Sequence, residues 1–459
     1  MRIVQRLARF VVDRTFDDLS DVAKKELKVR ILDSLACAIG ALDGEPIGYL
    51  REQLEDFGGS EQCTLIGGGR SAPDRAALHN GALVRYLDYN DSYLAQGETC
   101  HPSDNLAAVL AACEYADRSG RDLMTALAIA YQVQCRLSDE APVRAKGFDH
   151  TTQGSYAAAA GVAKALGLDE ERAANAIAIA GTSLNALRVT RTGRLSHWKG
   201  LAYPHTGFGA THASFLAMRG ITGPLEVFEG NKGFMDAIAG QFEIDWARED
   251  LERVTRTIIK KYNAEIHSQS ATQGLLELQA EHDFAAGDVE NIDVEIFNVA
   301  FNIIGGGEEG AKTEVRTKEE ADHSLNYIVA VALLDGQVMP EQYLPDRIAR
   351  DDVQSLMRRI TIRPRDDYSR RFPDEMPCCL TVRLRDGRTL EKEKSDYEGF
   401  FTRPASWETV YDKFEKLTAP YADAGLRKQI VDAVAAIDEI QVSDLTTTLS
   451  KVPDQTRRS

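Results

Sequence analysis

The apolar residues of this chain change their period twice, and that change limits the folds open to it. From residue 1 to about 260 they recur every three to four positions, the period of an amphipathic helix. Ser20 is placed to cap the run DVAKKELKVRILDSLACAIGAL, which lines up Leu27, Ile31, Leu35 and Ile39 on one face. HNGALVRYLDY, NLAAVLAACEYA, DLMTALAIAYQVQCRL, GSYAAAAGVAKALGL and EERAANAIAIAGTSL follow, rich in alanine and suited to close helix packing. VENIDVEIF (289–297) instead alternates Ile292, Val294 and Ile296, a strand pattern, as do RRITIRP (358–364) and CCLTVRLRDGRTLEKEKS (378–395). Asp386-Gly387 in the last of these signals a hairpin turn. A helical run, DHSLNYIVAVALLDG, lies between the strands, and from Ser406 the helical period returns. The expected fold is mainly α: a large all-helical domain (1–267), a smaller α+β insertion (268–403) and a helical return (404–459).

The net charge of −17 makes the chain a poor general binder of nucleic acid or of an anionic membrane. No apolar run is long enough to span a bilayer. The opening stretch MRIVQRLARFVVDRTFDDLSD spaces Ile3, Leu7, Phe10 and Val11 as a helix and lacks the continuous apolar core of a secretory signal, so it reads as the first helix of the fold. The polar residues after Lys451 read as a flexible tail. Seven cysteines, an odd number with no CxxC pair, fit a reducing cytoplasm and offer no site for zinc or an iron–sulfur cluster.

Two stretches concentrate chemistry. In LDYNDSYLAQGETCHPSDN (87–105), Asp88-x-Asn90-x-Ser92 begins like a calcium loop, but Leu94 and Ala95 break the pattern and no glycine sits at the turn. Ser103 and Asp104 are placed to cap the helix that starts at NLAAVLAA, which leaves Asp88, Asp91, Ser92 and His101 for acid–base work or for a solvated loop. The second stretch, Ala173 to Leu225, holds no Asp or Glu where average composition predicts about eight. Within it LRVTRTGRLSHWKG collects Arg188, Arg191, Arg194, His197 and Lys199, which suits a small polyanion, a basic surface patch being the alternative. GGG at 67–69 lacks the spacing of a phosphate loop and reads as a turn. His150 precedes a helix start, His267 sits at the expected domain boundary and His323 is placed in a helix-cap region.

The stretches ILDSLACAIGA, ALHNGALVRYLDYNDSY, HPSDNLAAVLAA, LRVTRTGRLSHWKG, KKYNAEIHSQSA and ADHSLNYIVAVALLDG, in this order over nearly the whole chain, resemble the MmgE/PrpD family of 2-methylcitrate dehydratases and cis-aconitate decarboxylases. The resemblance implies a helical domain with an α+β lid, a homodimer, and no metal or other cofactor. It implies active-site positions at Asp88, Asp91, Ser92, His101, His150, Lys199, His267 and Tyr327. Arg188 and Arg191 would join Lys199 in gripping substrate carboxylates, His101 or His150 would act as base with Asp88 or Asp91 orienting it, and His267 or Tyr327 would donate the proton. The implied activity is metal-independent dehydration of a citrate-like tricarboxylate. Decarboxylation or epimerisation of a related acid, or non-catalytic polycarboxylate binding, are the alternatives.

Overall fold

A computed structural model describes residues 1–453, so the tail expected after Lys451 lies, from residue 454 on, outside the described residues. The chain divides into two compact units. The first comprises Met1–Thr190, Gly200–Ile259 and the chain from Ser406 on; the second comprises Arg191–Lys199 and Lys260–Ala405. The mainly helical expectation holds. Among the described residues no helix is long and apolar enough to cross a membrane.

The first unit is built of helices, among them Ile3–Asp13, Asp21–Gly40, Pro73–Tyr86, Leu106–Tyr115, Gly120–Glu140, Thr151–Leu166 and Glu170–Ser183. Ser20 Oγ accepts the Ala23 N–H, and Leu27, Ile31, Leu35 and Ile39 are all buried, as their spacing predicts. The glycine run at 67–69 is a turn between two short strands, each glycine at positive φ. Helix Thr151–Leu166 packs on both Gly120–Glu140 and Glu170–Ser183 through alanine and glycine. A Cβ on Gly161 would lie 2.8 Å from Val109, and one on Gly154 would lie 2.4 Å from the Tyr203 ring. Small residues let these backbones approach, and Gly154 in particular makes room for Tyr203 beside the start of its own helix.

The second unit carries a four-stranded sheet in the order Ile360–Pro364, Val289–Ile296, Cys378–Leu384, Thr389–Lys394. The first pair is parallel, with Ile292 opposite Ile360; the other two pairs are antiparallel. Ile292, Val294, Leu380 and Val382 are buried, and helices Gln269–His282 and Leu325–Asp335 pack against this sheet. The strand alternation read from the sequence is the alternation of buried and wetter faces. Asp386 turns the hairpin by accepting the Arg388 N–H, with Gly387 at φ 88°.

Replacing Gly154 by alanine will destabilise the protein, because about 1–3 kcal/mol of overpacking against Tyr203 exceeds the roughly 1 kcal/mol of helix propensity gained. Denaturant midpoints check this, and an unchanged or higher midpoint would contradict it.

Candidate active site

The first cluster lies in the first unit, on the loop that leaves helix Pro73–Tyr86. Asp88 takes the left-handed conformation at φ 53° and forms a buried ion pair with Arg85, whose Nε also lies 3.6 Å from Asp104 Oδ2. Asn90 donates to Ser103 Oγ (2.9 Å) and to Asp104 Oδ1 (2.8 Å). Asp91, fully buried, accepts the Ser103 N–H (3.0 Å) and the Tyr131 hydroxyl (2.8 Å). Burial pushes the Asp91 carboxyl upward, against the opposing pull of those hydrogen bonds. Ser103 and Asp104 therefore bind the preceding loop and do not cap the next helix. Pro102–Asn105 is a 3-10 turn, and helix Leu106–Tyr115 starts without a side-chain cap. The capping expectation fails because Asp91, Asn90 and Arg85 compete for the same groups.

His101 Nδ1 lies 2.8 Å from the Asp91 carbonyl and 3.0 Å from Ser92 Oγ. A carbonyl only accepts, so Nδ1 carries the hydrogen and a neutral His101 keeps its basic lone pair on Nε2. The backbone of Ser92 is itself fixed by two hydrogen bonds with Ile258. The His101 ring meets the His150 ring edge-on with centroids 5.5 Å apart, and His150 in turn stacks near Tyr203 at 6.1 Å. His150 is the residue before helix Thr151–Leu166, as expected. Its Nδ1 lies 3.2 Å from Asp149 Oδ1, and Arg188 Nη1 lies 3.9 Å from Asp149 Oδ2. Two buried histidines thus face each other with different supports: a neutral carbonyl behind His101 and a carboxylate behind His150. Glu98 is buried nearby in the chain's own hydrogen bonds, accepting the Arg144 N–H at 3.0 Å, and burial raises its carboxyl.

The second cluster lies in the second unit. Lys199 Nζ donates to Asp322 Oδ1 at 2.7 Å and lies 2.9 Å from His323 Nδ1. Asp322 Oδ2 accepts from Lys318 at 2.8 Å. Burial alone would raise Asp322, but Lys199, Lys318 and His323 together hold it well below the usual carboxylate range. The Glu265 N–H donates to the Asp322 carbonyl, which ties this group to a second pair. There His267 Nδ1 lies 2.7 Å from Glu265 Oε1, and His267 Nε2 is buried with no hydrogen-bond partner among the described residues. The His267 ring is flanked by Phe297 and Phe372 at 5.5 and 5.7 Å. Burial works to raise Glu265, yet the charge and hydrogen bond of His267 outweigh it and hold the carboxyl at about 2.

The site residues read from the sequence thus fall into two groups. Asp88, Asp91, Ser92, His101, His150 and Arg188 belong to the first unit; Arg191, Lys199, His267 and Tyr327 belong to the second. Asp88 is engaged by Arg85, and it is the backbone carbonyl of Asp91 that holds His101. Arg191 is buried and donates to the Lys199 carbonyl at 3.0 Å, so it shapes the lysine's own turn, while Arg188 sits by Asp149. The Tyr327 hydroxyl donates to the Gln342 carbonyl, and its ring packs near Tyr343. The sequence reading missed Asp149, Glu265 and Asp322 and placed His323 in a cap region, whereas Ser324 Oγ is the cap. The adjacency of Asp149 to His150 and of Asp322 to His323, with Glu265 two residues before His267, was the signal available.

Comparison with known proteins identifies two family domains along the chain. Residues 5–247 match the MmgE/PrpD N-terminal domain and residues 262–439 the MmgE/PrpD C-terminal domain. The chain is 28% identical to an alkylcitrate dehydratase from a fungal species over 89% of its own length and 86% of the relative's. It is 26% identical to the 2-methylcitrate dehydratase of Escherichia coli over 82% of each chain. It is 24% identical to the cis-aconitate decarboxylase of Mus musculus over 98% of this chain and 94% of that protein.

Glu265 contributes stability that is present above its ordinary value of 4.5 and is lost as the pH falls toward about 2. The urea-unfolding free energies of the wild type and Glu265→Gln will therefore differ most near neutral pH, by roughly 3 kcal/mol. The gap will close between pH 4.5 and about 2. A gap as wide at pH 3 as at pH 7 would refute the charge-based account.

Proposed function

Because the chain belongs to the MmgE/PrpD family, we propose that it is a hydro-lyase that removes water from a citrate-like tricarboxylate such as 2-methylcitrate. The observation that carries the reading is the pair His101 and His150, buried, ring to ring at 5.5 Å, and differently supported. Dehydration next to a carboxylate needs a base for the carbon-bound proton and an acid for the departing hydroxyl. A neutral carbonyl behind His101 supports a charge on its ring less than a carboxylate would, which suits the base. A carboxylate behind His150 supports a charged ring, which suits the acid. In this scheme His101 Nε2 takes the proton, the C–O bond breaks, and His150 delivers a proton to the hydroxyl, so an alkene acid and water leave.

As the C–H bond breaks, negative charge builds on the adjacent carboxylate, and a fixed cation lowers that barrier. Lys199, held by Asp322, is a buried cation of the second unit with that chemistry. His267 Nε2 is the atom of the second unit fitted to exchange a proton or hydrogen bond with a substrate oxygen. A second reading, decarboxylation of an acid such as cis-aconitate, draws support from the Mus musculus relative, which matches the greatest share of the chain among these three.

Incubation with 2-methylcitrate and then citrate, in excess chelator, should raise the ultraviolet absorbance of a conjugated alkene acid. His101→Ala and His150→Ala, shown folded by circular dichroism, should each lower turnover by about 10²–10⁴-fold. Lys199→Met should also lower kcat. Full turnover in either histidine variant would sink the acid–base assignment. Release of carbon dioxide from cis-aconitate with no hydration chemistry, followed by NMR, would select the second reading.

A further inference from the structure

The second unit holds a pocket of about 390 Å³ that none of the residues discussed so far explains. Gly193 to Leu195 form one wall; Glu309 to Lys312, Glu314 to Arg316 and Glu320 form the rest. The turn Gly305-Gly306-Gly307-Glu308-Glu309-Gly310 leads into it, with Gly306 and Gly310 at φ 99° and 94°, conformations that L side chains rarely adopt. This turn carries Lys312 to the pocket wall with only 8% of its surface exposed. The Lys312 carbonyl is pinned by the hydroxyl of Ser324, the residue that follows Asp322 and His323. Lys312 therefore sits close enough to the Lys199–Asp322 group for the charges of both to act on it.

The polar partners in the pocket are unequally used. Among the described residues the Lys312 ammonium forms no hydrogen bond and no ion pair, and the exposed Arg194 guanidinium forms none either. The carboxylates that act on Lys312 are, apart from Glu309, committed elsewhere: Glu265 to His267, and Asp322 to Lys199 and Lys318. Glu320 accepts the backbone N–H groups of Arg316 and Thr317, and Glu314 faces Arg316 at 3.5 Å. A lysine nine-tenths buried, on a pocket wall and without a direct counter-ion is costly unless an anion arrives. Burial pulls its ammonium below the ordinary range, Glu309 opposes this and the like charge of Lys199 adds to it, and a bound anion would act with Glu309 to offset them.

We propose that this pocket is a carboxylate subsite, in which Lys312, with Arg194 at the outer wall, takes the carboxylate on the middle carbon of a tricarboxylate. The inference rests on the tricarboxylate reading above and adds to it the group that separates tricarboxylates from dicarboxylates. A charge-assisted hydrogen bond of this kind is worth about 10- to 100-fold in affinity.

The test uses the full chain and two unreactive probes, tricarballylate and glutarate, which share a carbon chain and differ by one carboxylate. Calorimetry should show tricarballylate binding weakened at least 10-fold by Lys312→Met and largely retained by Lys312→Arg. Glutarate binding should change by less than about 3-fold, since it lacks one of the anchored groups. Arg194→Met, at an exposed position that leaves folding intact, should weaken tricarballylate by a smaller factor and keeps the proposal testable if Lys312→Met misfolds. Equal affinity of wild type and both variants for tricarballylate, or no binding to the wild type, overturns the subsite. Lys312-dependent binding without dehydration of any citrate keeps the subsite and removes the dehydratase reading. Dehydration with KM unchanged in Lys312→Met and Arg194→Met does the reverse.

Discussion

The first unit's site depends on one fully buried carboxylate. Asp91 cannot keep its polar atoms in the interior without partners, and the partners it recruits come from different parts of the chain. Tyr131 reaches it from helix Gly120–Glu140, and the Ser103 N–H reaches it from the turn beyond His101. The same residue's carbonyl then fixes His101 Nδ1. Satisfying one acid therefore sets both the path of the loop and the tautomer of the histidine. The rest of the loop follows the same rule. Arg85 neutralises Asp88, and Lys413, from a helix near the chain's end, pairs with Asp33 at 2.6 Å and donates to the Tyr89 carbonyl at 2.7 Å. Lys413 also lies 3.6 Å from the Tyr89 ring centroid.

The second unit uses charge in a different way. Lys199, Asp322, Lys318 and His323 neutralise one another closely, and Glu265 is held charged by His267. Such buried groups are a weak source of stability, since desolvation consumes much of their attraction. Their concentration here is better understood as preparation of a fixed, low-dielectric field in which a substrate charge is felt strongly. Lys312 stands apart because, Glu309 aside, the acids that act on it are committed, and that asymmetry separates it from a network already balanced.

Alanine and glycine give the first unit's arrangement its close-packed base. Gly154 and Gly161 allow the helices of the first unit to approach closely, and Tyr203 enters the space Gly154 leaves. The Tyr203 hydroxyl then lies 2.8 Å from Asn105 Oδ1 within a network that includes Gln134, while its ring stacks near His150. Close packing thereby orders a polar network next to the histidine pair.

What the sequence determined by itself was what local rules decide. Helical and strand periods, the Ser20 cap, the Asp386-Gly387 turn and the acid-free segment around Lys199 all express interactions over a few residues, and the structure carries each of them. Family-wide motifs added His101, His150, Lys199 and His267, which lie in the two clusters described. What only the tertiary structure decided was how each polar group is satisfied. Ser103 and Asp104 follow a capping pattern, yet Asp91 and Asn90, twelve to fourteen residues earlier, take them. The Tyr327 hydroxyl is engaged by Gln342, fifteen residues on, and Lys199 finds Asp322 across 123 positions. A buried donor or acceptor takes whichever partner the fold brings within about 3 Å, and separation along the chain sets no limit on which partner that is.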